Sequence, residues 1–557
     1  MADLPPTDEF EARSDSPDRR GRLARSTALF SIGTGLSRVA GLVREVVAAS
    51  YFATGSAMSA FTIAFQVPNL IRSLFADAAL QAAFVPIFAE QLEKGGKREA
   101  YRLASTLLFA SLLVLGLITA LFIVAAPILI KPFAPGFHRE QFELTVSLSR
   151  LLFPILVMLG ASGVVVGVLN SYDRFSVFAI APLFWNLAII AVLVGLAPAF
   201  PEGDQIYAYA IGVVVGTAIQ LAMVAVDLRN TPFRLQRVFD WRSPLLRRVG
   251  LLMLPVTISL GLINFNLAIN SVFGTLLDGT IDHLKQAQAL NPEVKASLAA
   301  HAPAAIDKAF RIYMLPQGMF SVAVATVIFP TMARFAARGA IDDLRATLAN
   351  GMRMIQLVLI PAMAAILVLS EPMVRLVYEH GDFGAADTEL VSSALFWFSL
   401  SLPFNGLFLV MTRTFFSLQR PWIPTRIAAI NLAVTAAGAA ALHGPFDIAG
   451  IVAATAIATA VSVASQAVVL RGMLGGIELG RLLSTTARIC LASAALAAVA
   501  WSAHGLLDGA LGGGLVGQLA ALGGSLGLGG LTYLAAIVGL RIEEADQLLR
   551  LVRRRAA

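Results

Sequence analysis

Apolar positions in this chain come in long runs, not in the spaced stripes of a soluble helical protein. From Thr27 to Leu540, stretches of 18 or more mainly apolar residues follow one another between short polar connections. An α-helix rises 1.5 Å per residue, so about 20 apolar residues cross the hydrocarbon layer of a bilayer. That length predicts helices near 27–51, 57–88, 101–130, 146–169, 176–198, 206–227, 249–276, 307–333, 352–370, 388–412, 424–442, 449–470, 483–504 and 515–540. The second is long enough to be bent or broken, and Pro68 offers the break. The fold class read from the pattern is an all-α polytopic membrane protein of about fourteen transmembrane helices.

Composition supports lipid as the solvent. The 557 residues are 57% hydrophobic and 14% charged, against about 25% charged in soluble domains. No connection is long enough for a separate soluble domain. The single cysteine, Cys490, excludes a disulfide framework and a cysteine-based metal site. Residues 1–25 are polar and of mixed charge, which predicts a disordered tail. The run that follows is too long and too charged for a signal peptide.

The net charge of +7 raises nucleic acid as a partner, and the distribution of the charge rejects it. Basic residues crowd alternate connections: Arg13 to Arg25, Lys94 to Arg102, Arg229 to Arg248, Arg334 to Arg353 and Arg550 to Arg555. The intervening connections hold few: Lys131 and Arg139, then Lys285, Lys295 and Lys308, then Arg375. By the positive-inside rule both termini are cytoplasmic, which requires an even number of spans. The run Arg234 to Arg248 reads as one such inside loop, with contact to anionic lipid second.

The halves echo each other. Ala64-Phe65 with Val85-Pro86 resembles Ala309-Phe310 with Phe329-Pro330, Ser171 with Arg174 resembles Ser417 with Arg420, and Asn186-Leu187-Ala188 resembles Asn431-Leu432-Ala433, all at offsets of 244 to 246 residues. A shared offset points to a parallel repeat with a binding site between the copies. The expected organisation is a tail (1–25), an N-terminal six-helix lobe (26–230), a C-terminal six-helix lobe (231–475), two further helices (476–541) and a basic tail (542–557).

The informative residues are ionisable groups inside apolar runs. Arg38, Arg44 and Glu45 lie in the first span, Arg72 in the second and Arg311 in the eighth. An arginine at the bilayer centre costs roughly 2.5–3.5 kcal/mol on insertion scales, so four cost on the order of 10 kcal/mol. Glu45 is the nearby acid and Asp77 lies further along. Arg72 and Arg311 stand nearer helix ends, where snorkelling to the headgroups competes. Arg38 sits halfway along its span. On an ideal helix Arg38 and Arg44 point about 120° apart, so both face one cavity only if it is wide. The excess positive charge calls for a wet cavity and an anionic ligand. A planar guanidinium fork holds phosphate oxygens bidentately and cannot lose its charge by titration.

Other polar sites say less. Asn266 and Asn270 share a helix face at i, i+4; they are candidates for a cation site, with interhelical hydrogen bonding the simpler role. Asn186, Asn405 and Asn431 read as the same glue. The six histidines show no metal-ligand spacing, and no GxxxxGK[ST] phosphate loop is present, so neither a metal nor ATP hydrolysis is expected. No nucleophile–base arrangement stands out, which makes a transporter the reading and not an enzyme.

Several stretches closely resemble the MurJ/MviN family. They are Leu36 to Glu45 (LSRVAGLVRE), Ala64 to Arg72 (AFQVPNLIR), Ala83 to Pro86, Leu169 to Phe175, Ala323 to Pro330 and Tyr378 to Phe383 (YEHGDF). The resemblance implies a lipid II flippase of the multidrug/oligosaccharidyl-lipid/polysaccharide exporter superfamily. It implies two six-helix lobes, two extra helices whose groove takes the lipid tail, and alternating access as the transport mode. The substrate would be the undecaprenyl-diphosphate-linked peptidoglycan precursor, with cell-wall synthesis machinery as a partner in the inner membrane. The implied substrate-binding residues are Arg38, Arg44, Glu45, Arg72 and Arg311. No cofactor is implied; the drive would be membrane potential or a monovalent cation gradient. The chain departs from the family at Ser59, where members usually carry aspartate, at Asp77 in Phe75-Ala76-Asp77-Ala78, and at Asn270, which replaces an acid tied to sodium in some relatives. Residues 277–307 are longer than the usual connection and predict a short external helix. The alternatives are a flippase for another polyprenyl-linked glycan and a cation-coupled multidrug antiporter on the same scaffold.

Overall fold

Helices account for all the regular structure among the described residues of the computed structural model, which are 17–75, 78–172, 174, 176–277, 298–542 and 544. In chain order they are α1 (Pro17–Phe52), α2 (Ser56–Phe75), α3 (Ala78–Glu90), α4 (Lys97–Ile130), α5 (Arg139–Leu152), α6 (Ile155–Ser171), α7 (Ser176–Leu196), α8 (Ile206–Arg229) and α9 (Pro244–Thr275). There follow α10 (Leu298–Pro316), α11 (Val322–Ala337), α12 (Ile341–Tyr378), α13 (Ala385–Ser399), α14 (Leu402–Ser417), α15 (Trp422–Leu474), α16 (Leu479–Leu511) and α17 (Leu515–Gly539). A helix satisfies its backbone internally, which is the condition for crossing lipid. Among the described residues, eight continuous helical stretches are long and apolar enough to cross, and the pair α13 and α14, bent by 44°, makes a ninth if it is one span. The chain is a multi-pass membrane protein.

Three expectations change in detail. The break expected at Pro68 is absent: α2 carries Pro68 inside it, and the next helix starts at Ala78. In a membrane bundle the loss of the hydrogen bond that a proline cannot donate is tolerated, because neighbouring helices satisfy the freed carbonyl. The first helix begins at Pro17, inside the segment expected to be disordered. Lys308, counted above with an outside loop, lies within α10 and is fully buried. The external helix expected in 277–307 falls mostly outside the described residues; Leu298 to Asp307 are the first turns of α10. The basic tail likewise falls outside them, apart from Ile542 and Glu544.

Two sharp folds follow from backbone chemistry. α15 doubles back at Asp447 (φ 49°, ψ −134°), two residues after Pro445. Only a glycine fits at 450, because a Cβ there would stand 2.1 Å from the Leu442 carbonyl oxygen. α12 kinks at Leu369 (φ −120°, ψ 16°), three residues before Pro372.

The chain forms two compact units. The first comprises residues 1–48, 67–127 and 146–257; the second comprises 49–66, 128–145 and 258–557. The first is cored by Phe84, Phe88, Tyr101, Val164, Val168 and Phe233; Tyr101 also ties the loop after α8 by donating from Oη to the Pro232 carbonyl at 2.9 Å. The second has a core of Met332, Leu348, Ile355, Leu395, Phe398 and Phe415. It also has a separate cluster in which Leu357, Ile360 and Leu369 of α12 meet Ile489, Leu496, Tyr533 and Ile537 of α16 and α17.

The repeat is visible in how two helices end. α6 closes with the Arg174 amide donating to the Leu169 carbonyl at 3.0 Å, and α14 closes with the Arg420 amide donating to the Phe415 carbonyl at 2.9 Å. These are the same six-residue cap at the 246-residue offset read from the sequence.

Candidate functional site

In the first unit, α1 presents its two arginines differently. Arg38 is exposed, whereas Arg44 and Glu45 are 8% and 3% exposed. The sixfold spacing that separates the two side chains by about 120° accounts for this. Arg44 donates from Nη2 to Glu45 Oε1 in a close ion pair, and its guanidinium lies 4.7 Å from the centroid of the Trp185 ring. Trp185 is itself fixed by Nε1 donating to Thr217 Oγ1 at 3.1 Å. Arg44 is therefore a buried charge paired with Glu45 and lying over an aromatic ring. Next to it, Asn186 donates to the carbonyls of Pro182 (2.9 Å) and Ser37 (3.3 Å), tying α7 to the backbone one residue before Arg38. Arg72 lies in α2; its side chain is outside the described set.

In the second unit, Arg311 donates from Nε to Asp307 Oδ2 at 2.8 Å, one turn back on α10, with a third of its side chain exposed. Between the two, Lys308 is fully buried with Nζ 5.3 Å from the Tyr378 ring centroid. Asn266 donates to Asn431 Oδ1 (2.8 Å) and Thr435 Oγ1 (3.1 Å). Asn270 and Thr455 hydrogen-bond each other at 2.9 and 3.1 Å. These asparagines bind α9 to α15. Among the described residues no group of three or more His, Cys, Asp or Glu side chains is arranged to hold a metal ion.

A polar seam in the same unit joins residues 50–59 to α10 and α13. Thr54 donates to Asp387 Oδ1 from its amide, at 3.1 Å, and from its hydroxyl. Its Oγ1 lies 3.2 Å from His301 Nδ1; since the hydroxyl hydrogen goes to Asp387, the imidazole is the donor. Gln141 donates to the carbonyls of Ser56 (3.1 Å) and Ala300 (3.3 Å). Ser59 is fully buried and accepts from the Ala304 amide at 3.2 Å. The Asp382 amide donates to the Ser50 carbonyl at 3.0 Å, and Gly381 (φ +64°) passes so close that a Cβ would be 2.4 Å from that oxygen.

Of the residues read from the sequence, the structure joins Arg44 to Glu45 and sends Asn266 and Asn270 into interhelical bonds. Trp185, Asp307, His301, Thr54 and Asp387 were missed. Only the i, i+4 spacing of Asp307 and Arg311 left a trace in the sequence; Thr54 and Asp387 are separated by 333 residues.

The architecture belongs to a class of helical membrane transporters. It matches a solved structure described as lipid II flippase MurJ in an inward closed conformation, with a TM-score of 0.73 and 21% identity over 92% of this chain and 99% of that one. It also matches an inward-facing multidrug resistance MATE family transporter of the MOP superfamily, with a TM-score of 0.63 and 14% identity over 81% of this chain and 96% of the other. At these identities the likeness is one of fold. Residues 48–512 match the family model for the lipid II flippase MurJ. A probable lipid II flippase MurJ of Rhizobium meliloti (strain 1021) is 33% identical over 432 residues, 76% of either chain, and one of Bdellovibrio bacteriovorus is 26% identical over 97% of this chain and 99% of its own. The chain belongs to the lipid II flippase MurJ family.

Proposed function

We propose that this protein carries lipid II, the undecaprenyl-diphosphate-linked peptidoglycan precursor, from the inner to the outer leaflet of the cytoplasmic membrane by alternating access. The observation that carries the reading is Arg38, an exposed guanidinium midway along an apolar helix, in a chain of this family. Its neighbour Arg44 is already matched by Glu45. Arg38, with Arg72 and the partly exposed Arg311, engages the diphosphate, while Arg44 and Glu45, paired with each other and beside the Trp185 ring, support the site from behind. Bidentate pairing to phosphate oxygens favours arginine in each role.

The number of spans is fourteen on this reading. α15 counts twice because it folds at Asp447, and α1, α2 with α3, α9, and α10 with α11 add four to the nine recognised by length and apolar content. Loop charges put both termini in the cytoplasm. Two six-helix lobes, 26–230 and 231–475, rock about the substrate, and 476–541 hold the tail. Transport runs without ATP hydrolysis or a bound cofactor. Membrane potential, worth about 2.3 kcal/mol per charge per 100 mV, or a monovalent cation gradient supplies the drive; the cell-wall synthesis machinery takes the product.

The antiporter alternative needs carboxylates for a cationic substrate. The acids found beside the candidate arginines, Glu45 and Asp307, are engaged by Arg44 and Arg311, which disfavours it. Competition binding of lipid II against another polyprenyl-diphosphate glycan separates the remaining alternative. The main test replaces Arg38 by Ala in cells depleted of their own flippase. Growth and lipid II translocation should fail at equal expression, and full rescue would refute the assignment.

A further inference from the structure

Between α8 and α9, residues 231–243 cross the first turns of α4 without regular structure, and their chemistry is not used by the transport reading. We propose that residues 234–242 anchor the first unit in the headgroup zone of the membrane. Arg237 and Arg242 meet the phosphates of anionic phospholipid there, and Phe239 and Trp241 seat among the headgroups. The inference rests on neither the substrate nor the leaflet assigned above.

One side of the segment is held on α4. The Gln236 amide donates to Ser105 Oγ at 2.9 Å, Thr106 Oγ1 donates to the Val238 carbonyl at 3.5 Å, and Arg102 Nη2 donates to Asp240 Oδ2 at 2.9 Å. Side chains 236, 238 and 240 are half-buried, whereas Leu235, Arg237, Phe239 and Trp241 are exposed. Alternation with a period of two is the mark of an extended chain, so one side packs on the helix and the other faces outward. On the outward side the Phe239 and Trp241 rings meet edge-on, with centroids 4.9 Å apart and planes at 87°. They stay 44% and 52% exposed. Arg242 follows them and is exposed too.

α4 sets the depth of that outward side. Arg102 and Thr106 lie on the face of α4 that further along carries the exposed Leu113, Leu117, Leu121, Val124 and Ile128, all within an arc of about 100°. From Leu113 to Ile128 this apolar stripe rises about 23 Å, and Thr106 stands about 10 Å beyond it. The hydrocarbon layer is about 30 Å deep and reaches about 40–45 Å with its headgroups, so the segment falls at headgroup level. Tryptophan favours that level, with an apolar ring and a polar N–H. The charge agrees. Residues 229–253 hold six arginines and one acid, Asp240. Asp240 is engaged by Arg102, and the nearby Glu90 by Arg248 at 3.2 Å. Among the described residues Arg237 and Arg242 meet no carboxylate. Exposed guanidiniums beside exposed aromatic rings fit an anionic lipid surface. Continuity with the apolar stripe of α4 favours lipid over a soluble acidic protein.

The test uses the full-length protein with a nitroxide attached through Phe239→Cys in a Cys490→Ser background, which leaves Trp241 and both arginines in place. In vesicles of phosphatidylglycerol and phosphatidylcholine the label should be shielded from a water-soluble nickel chelate and open to oxygen. Titrating phosphatidylglycerol into phosphatidylcholine micelles that hold the protein should immobilise the label. In the double variant Arg237→Gln/Arg242→Gln the midpoint should move to about thirtyfold more phosphatidylglycerol, as two lost contacts of about 1 kcal/mol each predict. The variant Arg237→Lys/Arg242→Lys should stay near the parent, because charge at a lipid surface counts for more than fork geometry. All three side chains are exposed, so the melting temperature in phosphatidylcholine alone should be unchanged in each variant. A label fully open to the nickel chelate in vesicles would show a face turned to water, as for a soluble partner, and overturns the proposal. So does a parent midpoint in the Gln/Gln variant, or equal immobilisation by phosphatidylcholine alone.

Discussion

Two arginines six residues apart on α1 do different work, and mutation should separate them. Arg44 and Glu45 are a buried pair, and removing one member of such a pair strands the other, at a cost of about 3–5 kcal/mol. Glu45→Ala and Arg44→Ala should therefore lower the melting temperature of the purified protein as well as activity. Arg38 is exposed, so Arg38→Ala should leave stability within about 0.5 kcal/mol and abolish translocation. Parallel melting and translocation measurements on the three variants check this; equal destabilisation by Arg38→Ala would contradict the assigned roles. Ser59 is a second residue-scale case. Its hydroxyl accepts the buried Ala304 amide, and leaving that donor unmet costs about 1–3 kcal/mol. Ser59→Ala should destabilise by that amount in a denaturation series, although the family aspartate is absent.

At the scale of elements, the YEHGDF stretch after α12 acquires a reason. Gly381 is left-handed and passes under the Ser50 carbonyl, so an alanine there meets both a φ penalty and a 2.4 Å clash with backbone. Gly381→Ala should loosen the seam between the 50–59 segment and α13, detected as faster hydrogen exchange at the Asp382 and Thr54 amides, with distant helices unchanged. Exchange that stays at the wild-type rate would show that the seam does not depend on this turn. The α16–α17 pair is likewise fastened to α12. Tyr533 donates from Oη to the Leu357 carbonyl at 2.6 Å within an apolar cluster. Tyr533→Phe should cost about 1 kcal/mol, read as a small shift in melting temperature, and a much larger loss would mean that the cluster repacks.

At the scale of the whole molecule, span lengths, the loop charge bias and the 244–246 repeat were all legible along the chain. A run of about 20 apolar residues has one low-energy destination, a helix in lipid, and every backbone bond of that helix closes locally. The costly arginines were legible for a related reason: a charge in such a run is expensive whatever surrounds it. The motif resemblance, and with it the family, also lay in the order of the residues alone.

What the order of residues left open was partnership. Nothing local distinguishes an arginine that meets Trp185 and Glu45 from one that stays exposed, because the ring arrives from 141 positions away. The same holds for Thr54 against Asp387, for Lys308 under Tyr378, and for Asn266 and Asn270, whose amides are spent on α15. Pro68 was misjudged because a proline's effect on a helix depends on what neighbouring helices supply to the backbone. Helix positions followed from the cost of exposing backbone to hydrocarbon, a property of each segment by itself. Which charge is matched and which is offered to a ligand depends on side chains from distant segments, and only the tertiary structure brings those together.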